Sequence, residues 1–127
     1  MSGPSQAGLF IYAVDVERIT HFYESILGMS RLHATKEMVV LQLQNLQLIV
    51  HYIPEHIAST FEITAPPERR EDTALKFFFT VESIANARTT AAALGGQVFD
   101  EQWQGPGFNV CNACDPEGNI FQLREAS

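Results

Sequence analysis

Few side chains in this sequence of 127 residues have types and spacings that suggest chemistry. Cys111 and Cys114 form a C-x-x-C. Zinc would need two further ligands at knuckle spacing, and a redox pair would open a helix after a strand. This pair instead precedes a turn at the end of an expected strand, so the simpler reading is two small apolar residues. Lysine is a residue type that can serve as a base, which makes Lys76 a candidate, and His51 carries an imidazole, the side chain that most often moves protons in enzymes. Tyr12 is a third candidate acid, base or stabiliser of charge. No close constellation joins the three, so spacing alone demands no catalysis.

The composition narrows the classes of function. With 46% hydrophobic and 18% charged residues, the chain reads as one globular domain, residues 1–127. The net charge of −7, with Arg69-Arg70 enclosed by Glu68 and Glu71-Asp72, argues against a nucleic-acid partner. No apolar run approaches the ~20 residues that span a bilayer, so no membrane partner is expected. The opening MSGPSQAG lacks a signal peptide's basic and apolar regions and reads as a disordered leader. A cytoplasmic location is the default expectation.

The elements that must position any site come in two similar sets. Leu9 to Val14 reads as a strand. Asp15 is a good N-cap, and Ile19, Phe22, Tyr23, Ile26 and Leu27 mark one face of a helix that Gly28 ends. Met29–Thr35, Met38–Leu43 and Leu46–Tyr52 are strand-like runs broken by Lys36-Glu37 and Gln44-Asn45, as antiparallel hairpins require. Pro54 to Asp72 is irregular, with Pro66-Pro67 marking a linker. Connections of that length are often lids or binding loops, and a plain crossover over the core is the alternative.

The second half repeats the order. Leu75–Val81 reads as a strand, and Ser83 or Glu82 begins a helix that buries Ile84, Ala87, Ala91 and Leu94 and stops at Gly95-Gly96. Strands are expected at Gln97–Gln102, Phe108–Ala113 and Ile120–Arg124. A loop from Trp103 to Gly107 contains Gly-Pro-Gly, and a tight turn spans Asp115 to Asn119. Val14-Asp15 aligns with Val81-Glu82, and Gly28 with Gly95, at one common offset. So long a period fits a duplicated half-domain.

Two β-α-β-β-β modules, with Val14-Asp15 followed by Phe22-Tyr23-Glu24-Ser25-Ile26-Leu27-Gly28 and with Asp115 to Asn119 as D-P-x-G-N, resemble the vicinal oxygen chelate superfamily. That superfamily includes glyoxalase I, extradiol dioxygenases, fosfomycin resistance proteins and bleomycin resistance protein. The resemblance implies an α+β fold: two tandem βαβββ modules forming curved mixed sheets around a concave cavity. Module one would be 8–53, the linker 54–72 and module two 73–127.

In metal-using relatives, the first and last strand of each module each carry a ligand, usually His, Glu or Gln. The corresponding positions here are Gly8, Ile49 (or His51, two residues on), Lys76 and Gln122. Gly and Ile cannot ligate, and Lys is cationic at neutral pH. No metal and no other cofactor is therefore expected.

Side chains alternate across a strand, so the residues that share the implied ligand face can be named. The ligand-binding candidates are Phe10, Tyr12, Ile49, His51, Lys76, Phe78, Gln122 and Arg124, with Trp103 on its loop at the rim. Such a face suits a small molecule with an aromatic or apolar body and an anionic group. Alternatively, Lys76 and Arg124 pair with acids or reach solvent, and Trp103 anchors its loop. The resemblance leaves two functions open. One is a metal-independent binding protein of the bleomycin resistance type, which sequesters its ligand. The other is a glyoxalase-like lyase, isomerase or dioxygenase-related enzyme using Lys76, His51 or Tyr12. It also implies a homodimer, which would cover open sheet edges.

Overall fold

The computed structural model of the chain describes residues 5–127. The chain forms two compact units that divide between Glu62 and Ile63. In the first, β1 (Ala7–Ala13) leads into α1 (Val16–Leu27), followed by β2 (Ser30–Ala34), β3 (Met38–Leu43), β4 (Leu46–Tyr52) and the short α2 (Glu55–Ala58). Its sheet runs β1-β4-β3-β2. β1 pairs with β4 in parallel and the other pairs are antiparallel, so the sheet is mixed.

Helix α1 forms where the sequence provides both a start and a stop. The Asp15 carboxylate accepts the Arg18 backbone N–H at 3.1 Å, satisfying one orphan donor of the first turn. Gly28 ends the helix with φ 67°, a left-handed conformation that costs glycine little. Between them Ile19, Phe22, Tyr23, Ile26 and Leu27 are buried, on the side facing Ile11, Ala13, Val39, Leu41, Leu48 and Val50 of the sheet. Each large apolar side chain so buried contributes roughly 1.5–3 kcal/mol.

The second unit repeats the plan. β5 (Phe78–Thr80), α3 (Ile84–Ala93), β6 (Gln97–Gly105), β7 (Phe108–Cys114) and β8 (Ile120–Ala126) give a sheet ordered β5-β8-β7-β6, with β5 parallel to β8. The Ser83 hydroxyl caps α3 by accepting from the Asn86 backbone N–H at 3.0 Å. Ile84, Ala87 and Ala91 are buried beneath it, with Phe79, Val98, Cys111, Ala113, Phe121 and Leu123 on the sheet. Phe77 stacks on Phe121 with ring centroids 5.6 Å apart, which leaves Phe78 on the opposite side.

Several expected boundaries are corrected. β1 begins at Ala7, so Ala7 and Gly8 belong to a strand rather than to a leader; residues 1–4 lie outside the described residues. β5 is shorter than Leu75–Val81, and Leu75 is 85% exposed. Pro54–Asp72 contains α2, which starts directly after Pro54. β6 extends through Trp103 to Gly105, because Pro106-Gly107 alone reverses the chain, with Gly107 at φ 83°. Trp103 is therefore a strand residue, not a loop residue. β7 and β8 end at Cys114 and Ala126, beyond Ala113 and Arg124.

The Asp115–Asn119 turn is tightly held. Asp115 accepts the backbone N–H of Glu117 at 2.9 Å and of Asn119 at 3.1 Å, and the Asn119 amide at 2.8 Å. Arg70 crosses this turn, its backbone N–H donating to Gly118 O at 2.9 Å and its Nε to Glu117 O at 3.1 Å. Gly118 sits at φ 88°, and a Cβ there would collide with the Glu68 carbonyl. The end of the linker is thus seated on the second unit.

Candidate functional site

Register places the candidates on the sheet faces turned away from the helices. In the first unit Tyr12, His51 and Met38 form one cross-strand row, Phe10, Ile49 and Val40 the next, and Gly8, Gln47 and Gln42 the third. Phe10 and Tyr12 are each 57% exposed, while their neighbours Ile11 and Ala13 are buried. This is the period of two expected for a half-covered strand. The Phe10 and Tyr12 rings stack with centroids 6.1 Å apart, and Tyr12 lies 5.7 Å from the His51 ring.

His51 has a defined orientation. Its Nδ1 lies 2.8 Å from the Tyr52 carbonyl oxygen, which can only accept, so Nδ1 carries the proton. In the neutral ring Nε2 then keeps its lone pair. A half-buried imidazole beside a phenol can accept or pass a proton.

In the second unit Phe78, Gln122 and Asn112 share a row, and Thr80, Arg124, Val110 and Trp103 share the next. The Arg124 guanidinium carbon lies 3.6 Å from the Phe78 ring centroid and 4.5 Å from that of Phe108. Cation–π attraction holds it there, yet rings accept none of its N–H donors. Its Nε is buried without a hydrogen-bond partner, and no acid pairs with Arg124 among the described residues. Lys76 precedes β5 and is exposed, its Nζ donating to Asn112 Oδ1 at a long 3.4 Å. Phe78 is 51% and Trp103 is 42% exposed.

Within each unit, therefore, the predicted residues come together: Phe10, Tyr12, Ile49 and His51 in one, and Lys76, Phe78, Trp103, Gln122 and Arg124 in the other. Sequence reasoning missed Phe108 and Asn112, which share the face through β7. The parity argument applied to β7 as well as β8 would have found both. It also missed Gly105, opposite Phe108, where a Cβ would clash with the outer edge of the Phe108 ring.

The positions at which the resemblance implies metal ligands do not fit an ion. Gly8 and Ile49 offer no donor atom, His51 two residues on could supply one nitrogen, and Lys76 is a cation bonded to Asn112, so at most two donors remain. Gln122 alone offers an oxygen. Among the described residues no group of three or more His, Cys, Asp or Glu side chains converges as a metal site. Cys111 and Cys114 are free and buried, and burial pushes the Cys114 thiol up, aided by the Asp115 charge. Such a thiol is a poor nucleophile at neutral pH.

A separate open depression of about 520 Å³ lies on the first unit, lined by Asp15, Glu17, Arg18, His21 and Arg31. Arg31 spends its donors there on Glu17 at 2.9 Å and Glu24 at 2.8 Å. Those pairs hold the Arg31 guanidinium above its ordinary range and the Glu17 carboxyl below its own. Arg31 and its two glutamates thus satisfy one another at this surface.

Comparison with known proteins agrees with this architecture. The sequence profile of the glyoxalase-like domain matches residues 8–124. A glyoxalase/bleomycin resistance protein/dioxygenase family enzyme from Burkholderia phytofirmans superposes with a TM-score of 0.70 at 14% identity, over 94% of this chain and 97% of that one. A fosfomycin resistance protein from Mesorhizobium loti gives 0.64 at 15% identity, over 100% and 94%. A lactoylglutathione lyase from Agrobacterium tumefaciens gives 0.62 at 20% identity, over 94% and 91%. At such identities the likeness is one of fold. No curated protein shows significant similarity to the sequence.

Proposed function

The chain belongs to the glyoxalase-like domain family, and from that premise we propose that it is a metal-independent small-molecule-binding protein. It sequesters a ligand that has an aromatic or apolar body and an anionic group. The observation that carries this reading is Arg124, a cation stacked between aromatic neighbours on an exposed sheet face, with no acid among the described residues to neutralise it. A site of this kind combines apolar walls with a few oriented polar groups. Phe78, Phe108 and Trp103 supply the walls in the second unit, and Phe10, Tyr12 and Ile49 supply a similar surface in the first. Fosfomycin resistance and lactoylglutathione lyase activity in structural neighbours support small-molecule ligands for this fold. Neither dictates which ligand binds here.

A second reading, an enzyme of glyoxalase-like lineage, has one observation in its favour. The carbonyl-bonded Nδ1 of His51 leaves Nε2 available beside Tyr12. In either case the protein works as a homodimer, the pairing covering open sheet edges. Native mass spectrometry on protein purified without added metal tests all three statements. The expected spectrum shows a dimer that carries a co-purified organic anion, recovered chemically unchanged. A stoichiometric divalent ion would overturn metal independence, and conversion of the bound compound would favour the enzyme.

A further inference from the structure

The surroundings of Arg124 restrict the ligand's anionic group, provided that the proposed binding function holds. The Phe78 and Phe108 rings fix the guanidinium at 3.6 and 4.5 Å but take none of its hydrogen-bonding capacity. Its remaining neighbours on the face, Thr80, Val110, Gln122 and Trp103, are all neutral. A second cation, Lys76, ends on Asn112, one row along the sheet. Lys76 is exposed and already donates to Asn112, whereas the two rings hold Arg124 in place on this face. A single planar fork of N–H donors with one positive charge matches a planar monoanion, which it can hold by two parallel hydrogen bonds. A phosphoryl dianion would leave one charge unmatched in an acidic protein of net charge −7.

We infer that Arg124 is a carboxylate receptor, so the ligand class is a carboxylic acid on an aromatic body, and that Gly105 is its positioning residue. The Phe108 ring lies directly on the Gly105 backbone, where a Cβ would overlap three of its ring carbons. Gly105 does not have a positive φ, so this glycine is required for space rather than for a turn. Gly105→Ala pushes Phe108 off its seat and loosens the guanidinium that Phe108 flanks.

The test uses the whole protein with 4-biphenylcarboxylate, 4-biphenylcarboxamide and 4-biphenylphosphonate, titrated by calorimetry. The indole N–H resonance of Trp103, the single tryptophan, reports binding at this face. The carboxylate is expected to bind at least about tenfold more tightly than the amide or the phosphonate, as a bidentate charged pair implies. Arg124→Gln should erase that preference, bringing the carboxylate down to the affinity of the amide. Gly105→Ala should lower the carboxylate-to-amide ratio, a selective loss that a purely structural role would not produce. Equal affinities for all three compounds, with the indole still shifting, would sink the carboxylate assignment and leave the binding function standing. So would a preference that survives Arg124→Gln. No heat and no indole shift from any compound would sink both.

Discussion

Phe78 shows how a single side chain can be separated from the core on which it sits. Its neighbours Phe77 and Phe79 pack inward, while Phe78 stays half exposed beneath Arg124. Phe78→Ala should therefore cost little stability and weaken binding of 4-biphenylcarboxylate by about fivefold to thirtyfold, the worth of a partly desolvated cation–π contact. Calorimetric titration and thermal unfolding on the same variant check both halves. Lys76→Ala should weaken it less, since the lysine is exposed and ends on Asn112. Arg31 makes a prediction of a different kind. It donates to both Glu17 oxygens and both Glu24 oxygens. The hydrogen bonds from Arg31 lower the Glu17 carboxyl from its ordinary 4.5. A lowered folded value means the stabilisation is present above the unfolded pKa and fades as pH falls through the folded one. The melting-temperature gap between wild type and Arg31→Ala should thus be widest near neutrality, narrow on acidification below about pH 4, and shrink in high salt. A gap independent of pH would show that the pair does not contribute through charge.

The elements show where sequence was sufficient and where it was not. Helix α1 was legible residue for residue because Asp15, the apolar stripe and Gly28 all point to the same limits. The β3 and β4 limits agree with the reading because polar pairs break the apolar runs on both sides. Trp103 was misplaced because Gly105-Pro106-Gly107 looks like a long loop, whereas the reversal needs only Pro106 and Gly107. Leu75 and Lys76 read as strand by composition, yet parallel pairing with β8 begins only at Phe78. Pairing is a long-range property that local composition does not encode. Of the site, parity gave the β1, β4, β5 and β8 candidates. It did not give Gly105, whose significance is a contact across the sheet. The Asp115–Asn119 turn offers a test at this level. Asp115→Ala removes a fully buried carboxylate with three hydrogen bonds and should cost about 2–4 kcal/mol. Gly118→Ala should also destabilise, by about 1–3 kcal/mol, through its positive φ and the clash with Glu68. Chemical denaturation measures both. Limited proteolysis within residues 60–72 should accelerate in Gly118→Ala, because the linker loses its seat on the turn.

For the molecule as a whole, two units with the same strand order, each closed by a parallel pair and a capped helix, explain why a 14% identical structure still superposes over 94% of this chain. No helix among the described residues is long and apolar enough to cross a membrane. Prolonged dialysis against a chelator should leave the melting temperature unchanged, since the positions at which the resemblance implies ligands include Gly8, Ile49 and Lys76. A fall that is restored by a divalent ion would mean that a site exists elsewhere. Light scattering at working concentration should return twice the 14.2 kDa chain mass.

The strict alternation along β1, where Phe10 and Tyr12 stand against buried Ile11 and Ala13, has an evolutionary consequence. Residues that would meet a ligand and residues that hold the sheet on its helix occupy different parities of the same strands. Selection can therefore rewrite one set while the other stays fixed. A point change at an exposed position of such a strand alters what the face presents while the packing of the sheet on its helix stays as it is.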